Sequence, residues 1–139
     1  FSKSDPICTL SEKDSLGGWR EVGRTEMIKN TLNPDFKKTF EMDYFFEQQQ
    51  RLLFNMYDVD NATQSLADDD FLGFMECDLA EIIGAKYQRL IKDLQNKPGR
   101  AAGHYGQIIV TLEEVNTVNN AILTMQISGR HLAKKDWFG

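Results

Sequence analysis

The chain has 139 residues, of which 41% are hydrophobic and 27% are charged, and its formal net charge at pH 7 is −5. This composition suffices for one folded domain and excludes a disordered chain, and the acidic balance argues against a general nucleic-acid binder. No apolar run approaches the roughly 20 residues of a membrane-spanning helix. Two cysteines, Cys8 and Cys77, are too few for a disulfide framework, which favours a cytoplasmic protein in which both are buried. Because the sequence starts at Phe1 rather than Met, we expect a piece of a longer protein.

Apolar and polar residues alternate along most of the chain, which predicts half-buried strands. The clearest case is 51–58, in which Leu52, Phe54 and Met56 share one face. In chain order, the predicted strands are 7–11, 21–27, 37–44, 51–58, 72–78, 88–94, 106–112 and 121–128. A helix of about one turn is predicted at 79–83, and 88–94 is also compatible with a helix. Short strands joined by polar turns predict an all-β fold, an antiparallel β-sandwich.

Residues 57–73 are rich in aspartate and contain no lysine or arginine. Asp58 and Asp60 lie where a predicted strand ends, and Asp70 lies where the next begins. Clustered carboxylates repel one another unless a cation joins them, and oxygen ligands without His or Cys favour Ca²⁺. An EF-hand is excluded, because Ala62 stands where a side-chain oxygen is needed and Thr63 where glycine is needed. The alternative is a solvated acidic loop that protects a sheet edge.

Ser4-Asp5-Pro6 precedes the first predicted strand. Pro6 fixes an extended backbone and cannot donate a hydrogen bond within a sheet, so Asp5 is expected at the start of that strand. If this start adjoins the loop after Asp58, Asp5 adds a further oxygen ligand. The alternative for this tripeptide alone is an ordinary turn.

Four segments occur in the order and at the separations typical of C2 domains. They are Ser4-Asp5-Pro6, Thr31-Leu32-Asn33-Pro34-Asp35-Phe36, Tyr57-Asp58-Val59-Asp60 and Asp70-Phe71-Leu72-Gly73. The match covers about residues 1–115, and residues 1–6, 23–30, 43–47 and 71–77 most resemble the first C2 domain of the copines. The resemblance implies an eight-stranded sandwich that binds Ca²⁺ and anionic phospholipid through loops at one end.

The resemblance also implies a set of metal ligands. Asp5 corresponds to a first-loop ligand, and Asp58, Asp60 and Asp70 correspond to third-loop ligands, with Asp68 or Asp69 as a further candidate. The family's first strand and one first-loop ligand are absent ahead of Asp5.

Residues 121–139 resemble the first strand and first loop of a following C2 domain. We therefore expect the strand 121–128 to fill the vacant position and Asp136 to complete the ligand set, since the ends of a domain often lie close together. The expected organisation is a C2 core at 1–115, a linker at 116–120, and a segment 121–139 that completes the sandwich. The alternative is a swapped dimer, in which a neighbouring chain supplies the strand.

Membrane contact is expected from apolar side chains near the acidic loop and from basic side chains on a strand face. The apolar candidates are Leu66 in the loop, Phe1, and Trp137 or Phe138. The basic candidates are Lys29, Lys37 and Lys38, which could bind a lipid headgroup near Thr39. The alternatives are ordinary packing at the chain ends and solvated lysines.

The predicted function is calcium-dependent binding of anionic phospholipid, with a cytoplasmic protein moving to the plasma membrane when calcium rises. No nucleophile–base pair or phosphate-binding loop is present, so we expect no enzyme. Client proteins are possible partners, and nucleic acid is not expected. The alternative is a calcium-independent module that binds proteins through a sheet face.

Overall fold

A computed structural model describes residues 3–45, 47–59, 70–96, 105–116 and 121–133. Eight strands form two antiparallel four-stranded sheets, in the orders β2-β1-β4-β5 and β3-β8-β7-β6. The strands are β1 (Pro6–Lys13), β2 (Trp19–Arg24), β3 (Asp35–Asp43), β4 (Arg51–Asp58), β5 (Asp70–Asp78), β6 (Arg89–Asp93), β7 (Gln107–Asn116) and β8 (Ala121–Arg130). The predicted eight-stranded antiparallel β-sandwich is confirmed.

The core lies between the sheets and is filled by the faces that the alternation predicts. On β4, Leu52, Phe54 and Met56 are all fully buried, while the residues between them remain partly exposed. Phe36 of β3 and Met125 of β8 complete the same core from the opposite sheet. Burial of a side chain such as Phe54 contributes about 1.5–3 kcal/mol, so this period-two pattern fixes which face of each strand points inward.

β8 occupies an interior position of the second sheet, between β3 and β7. It pairs with β7 along its whole length, from Ala121↔Asn116 to Arg130↔Gln107, and with β3 from Ile122↔Asp43 to Ser128↔Asp35. Residues 121–130 therefore complete the second sheet within this chain.

A short helix, α1 (Leu79–Ile83), follows β5 at the predicted position, and a 3-10 turn follows it at Lys86–Gln88. Leu79 and Ile82 are fully buried, so α1 closes the core at the end where β5 finishes. In the part of the chain that the structure describes, no helix is long and apolar enough to cross a membrane.

β4 has its predicted bounds, and the other seven strands differ from the sequence-based predictions at one or both ends. β2 ends at Arg24 rather than at residue 27, because Thr25 turns toward β1: its backbone N donates to the Cys8 carbonyl (2.8 Å), and its Oγ1 accepts from Cys8 N (2.9 Å). β3 begins at Asp35 and contains a register shift before Thr39, which the alternation pattern does not indicate.

Candidate calcium and membrane site

Three aspartates lie at one end of the first sheet, on adjacent strands. β1 begins at Pro6, β4 ends at Asp58 and β5 begins at Asp70. Pro6 pairs with Asp58, and Asp58 pairs with Asp70. We call Asp5, Asp58 and Asp70 the acidic rim. Residues 5 and 70 are far apart in sequence, and the strand register alone brings them to the same end of the sheet.

Backbone donors orient two of these carboxylates. Asp5 N donates to Asp58 Oδ1 (2.8 Å), and Asn30 N donates to Asp5 Oδ1 (2.7 Å). Val59 N in turn donates to the Asp5 carbonyl (3.0 Å), so the start of β1 and the end of β4 are joined in both directions. Asp58 is only 5% exposed. A buried carboxylate is costly unless polar or cationic groups surround it, so Asp58 is the residue whose charge most requires compensation.

The segment after β8 passes beside the start of β1. Ser4 Oγ donates to the Ala133 carbonyl (2.9 Å), Leu132 N donates to the Leu32 carbonyl (2.9 Å), and His131 N donates to Asn33 Oδ1 (2.9 Å). Residue 133 therefore lies next to residue 4, one residue from the acidic rim. The chain that continues from this point contains Asp136 and Trp137.

A close backbone approach supports this path. Gly106 has a positive φ of 88°, and a Cβ added there would lie 2.5 Å from the His131 carbonyl oxygen and 2.7 Å from that of Arg130. Only glycine fits between β7 and the turn after β8, because the contacted atoms belong to the backbone.

Eight candidate site residues lie outside the described part of the chain, which leaves Asp5, Asp58 and Asp70 as the described carboxylates of the set. Those eight residues are Asp60, Asp68, Asp69 and Asp136 among the ligand candidates, and Phe1, Leu66, Trp137 and Phe138 among the membrane-contact candidates. Among the described residues, no group of three His, Cys, Asp or Glu side chains is close enough to hold a metal ion.

The predicted lysines are exposed and fall in two places. Lys29 lies in the loop between β2 and β3, beside the Asn30 that contacts the rim, whereas Lys37 and Lys38 lie in β3. The outer face of β3, β8 and β7 carries a polar groove of about 300 Å³. Its lining consists of hydroxyl, amide and carboxylate side chains with one leucine: Thr39, Thr111, Leu112, Glu113, Thr124 and Gln126. Thr39 thus lies in a concave surface, and the described lining of this surface contains no lysine.

Glu26 is a positioning residue that the sequence pattern did not reveal. Its carboxylate accepts hydrogen bonds from Lys37 N (2.7 Å) and Lys38 N (3.2 Å), within the register shift of β3. Partial burial opposes ionisation, but these hydrogen bonds and the Lys37 charge outweigh it and lower the pKa of Glu26. The signal that would have located it is the bulge, which leaves backbone donors without a ladder partner.

The fold and the rim define a class. C2 domains, the calcium- and phospholipid-binding β-sandwiches, match this chain over residues 1–95, which is more than half of its length. The chain therefore belongs to the C2 domain family.

A similar protein shows which group of C2-domain proteins this chain resembles. Nicotinic receptor-associated protein 1 of Caenorhabditis elegans is 38% identical over an alignment of 166 residues that covers 100% of this chain. The alignment covers 25% of the relative, so the chain spans about a quarter of its length. That relative is a copine, and the resemblance to the copines predicted from the sequence is confirmed.

Proposed function

We propose that this C2 domain binds anionic phospholipid membranes in a calcium-dependent manner through the loops around the acidic rim. The observation that carries the proposal is the register Pro6↔Asp58↔Asp70, which gathers carboxylates from three strands at one end of the sandwich. The phosphatidylserine headgroup preference comes from the family resemblance.

The donor chemistry of the rim fits calcium. All of its side-chain ligands are carboxylates, and Ca²⁺ prefers six to eight oxygen ligands in a flexible geometry. Asp5, Asp58 and Asp70 would supply part of that shell, and Asp60 and Asp136 are the proposed remainder. When bound, Ca²⁺ supplies positive charge and open coordination positions for lipid phosphate or carboxylate oxygens.

Different residues have different roles in the proposed binding of calcium and lipid. Asp58 is held by Asp5 N, so its orientation is set before any ion arrives. The hydrogen bond from Ser4 to Ala133 keeps residue 133 beside the rim. On that basis we propose Asp136 as a further ligand and Trp137 as a membrane contact. Leu66, Phe1 and Trp137 are the proposed apolar contacts. Lys29, Lys37 and Lys38 are the proposed headgroup contacts, each worth about 1 kcal/mol near an anionic surface.

The test is co-sedimentation with vesicles across a calcium titration, comparing Asp58→Asn with Asp43→Asn. Asp43 is an exposed aspartate at the far end of β3, so its substitution removes the same charge away from the rim. Asn at residue 58 can still accept from Asp5 N, which preserves the fold. We expect Asp58→Asn to raise the calcium requirement on the order of tenfold or more, with Asp43→Asn unchanged.

Phosphatidylcholine vesicles and a chelator complete the design. Wild-type binding should need both phosphatidylserine and calcium, and calcium should raise the melting temperature of the wild type but not of Asp58→Asn. Equal binding of wild type and Asp58→Asn would reject the proposal. Vesicle binding that persists in chelator would contradict the calcium dependence. Absence of vesicle binding under all conditions would favour the alternative, a calcium-independent module that binds proteins through a sheet face.

We infer that this domain recruits a cytoplasmic protein to the plasma membrane when calcium rises, and that it does so without catalysis. A fluorescent fusion would move to the membrane after a calcium stimulus, and its Asp58→Asn form would remain dispersed. Light scattering of the purified chain, measured with and without calcium, would show whether it is a monomer or a strand-swapped dimer.

A further inference from the structure

β6 forms one edge of the second sheet, and its outer side pairs with no described strand along Arg89–Asp93, whereas Gln95, just after it, pairs with Phe74 of β5. β6 pairs with β7 from Arg89↔Thr111 to Asp93↔Gln107, and with no other strand in the described residues. After it, Leu94 N donates to the Gly106 carbonyl (2.9 Å). Because hydrogen-bonded and non-hydrogen-bonded pairs alternate in an antiparallel ladder, Leu90 and Lys92 bond to β7. The backbone N–H and C=O of Ile91 therefore point away from the sheet.

Apolar side chains are displayed at this open edge. Ile91 is 46% exposed and Tyr87 is 86% exposed. Tyr87 and Gln88 both have positive φ, at 59° and 52°, a conformation that is uncommon for residues other than glycine. The Lys86 ammonium lies 5.4 Å from the centre of the Tyr87 ring. The turn before β6 thus holds an aromatic ring in solvent, beside a cation, at a conformational cost.

The edge is also cationic in a chain whose net charge is −5. Lys86, Arg89 and Lys92 are exposed. Asp93 is the acidic residue of the stretch 86–93, and its Oδ1 accepts from Gln107 Nε2 (3.3 Å). Residues 86–93 carry three cationic side chains and one acidic side chain, so a second copy of this edge would add net positive charge to net positive charge, which opposes self-association. The charge is complementary to an acidic partner instead.

We propose that the β6 edge binds an acidic, extended peptide segment of a partner protein by strand addition. The peptide backbone would pair with the N–H and C=O of Ile91, its carboxylates would meet Arg89 and Lys92, and an apolar residue would lie against Tyr87. A lipid surface fits the charge but offers no amide group to pair with a strand edge. The open backbone pair at Ile91 is the observation that favours a peptide over a membrane.

The experiment measures fluorescence anisotropy of a labelled peptide that repeats Glu-Glu-Val-Val, titrated with the 139-residue chain in chelator. This repeat places glutamates on both faces of an extended strand, because Arg89 and Lys92 lie on opposite faces of β6. The control peptide has the same sequence with every backbone nitrogen methylated, which keeps the charges and removes the donors. The variant chain is Arg89→Glu/Lys92→Glu, and its matched control is Lys13→Glu, an exposed lysine at the end of β1. Hydrogen exchange at the Ile91 amide provides a second readout on the unmodified chain.

Strand addition predicts saturable binding that weakens on the order of tenfold both for the methylated peptide and for the charge-reversed chain. Lys13→Glu should bind as the wild type does, and the peptide should slow exchange at Ile91. Equal affinity for both peptides, or unchanged exchange at Ile91, would overturn the proposal. If the peptide does not bind while anionic vesicles in chelator bind through Arg89 and Lys92, the edge is a membrane contact instead. Because chelator is present throughout, this result is independent of the acidic rim.

Discussion

Ser4 and Ala133 are joined by a hydrogen bond across 129 positions of the sequence, with Ser4 Oγ donating to the Ala133 carbonyl at 2.9 Å. Ser4 is 1% exposed, so the bond is protected from water. It connects the residues before β1 to the residues after β8, which belong to different sheets. The neighbourhood of the acidic rim thus depends on both ends of the described chain.

Replacing Ser4 with alanine should lower stability by about 1–3 kcal/mol, because the part-buried Ala133 carbonyl loses its donor. Urea unfolding of Ser4→Ala, with Ser15→Ala in the exposed β1–β2 turn as a control, measures the difference. A loss of the same size in both variants would contradict a specific role for Ser4.

Gly106→Ala should destabilise the domain more than a typical glycine substitution. The added Cβ would meet two backbone oxygens within 2.7 Å, at a residue with φ of 88°, and the strained conformation alone costs about 1–3 kcal/mol. The matched variant is Gly84→Ala, where φ is −80° and the first contact lies at 3.3 Å. In thermal or urea unfolding, Gly106→Ala should be much less stable than Gly84→Ala. The reverse order would show that the turn after β8 can move to accommodate the added Cβ.

Glu26 should contribute a pH-dependent part of the stability. Its folded-state pKa is lowered, the hydrogen bonds to Lys37 N and Lys38 N outweighing the effect of burial, so the ionised form favours folding. The stabilisation is present above the unfolded glutamate pKa of about 4.3 and is lost as pH falls through the lower folded value. Unfolding experiments between neutral and acidic pH measure this effect. The free energy of unfolding of the wild type should exceed that of Glu26→Gln at neutral pH, and the difference should decrease as the pH falls. A difference that stays constant would contradict this assignment.

The two cysteines should resist alkylation in the folded chain. Both are fully buried, and burial raises the pKa of Cys77 to about 12 and raises that of Cys8 as well. Since the thiolate is the reactive form, labelling at mildly alkaline pH should run at least about a hundredfold slower than for free cysteine. Mass spectrometry of native and urea-unfolded samples measures this, and fast native labelling of either residue would show that its strand opens readily.

Much of the fold was predictable because strand alternation is a local property. The faces of β4 and β8 follow directly from Leu52, Phe54 and Met125, and the short helix at 79–83 has its predicted bounds. The end of β2 was not predictable, because Thr25 leaves the strand to bond with Cys8, a contact across 17 positions of sequence. The bulge in β3 was not predictable for the same reason, because its backbone N–H groups donate to Glu26, which belongs to another segment.

Less of the candidate site than of the fold could be predicted from local sequence patterns. Asp5 alone indicates only a turn, and its link to Asp58 came from the family resemblance, which the strand register now accounts for. No pattern of residues indicates that Asn30 N binds Asp5 or that Ser4 binds Ala133, because backbone atoms and distant segments make those contacts. Asp60 and Asp136 remain predictions.

The interior position of β8 has a consequence for synthesis on the ribosome. β3 and β7 both bond to residues 121–130, so neither can complete its sheet until that last strand has left the exit tunnel. A nascent chain lacking it exposes two long strand edges, and the pairing of β3 with β8 must close a loop of most of the domain, which slows folding. The emerging polypeptide should therefore engage chaperones until residue 130 has left the exit tunnel.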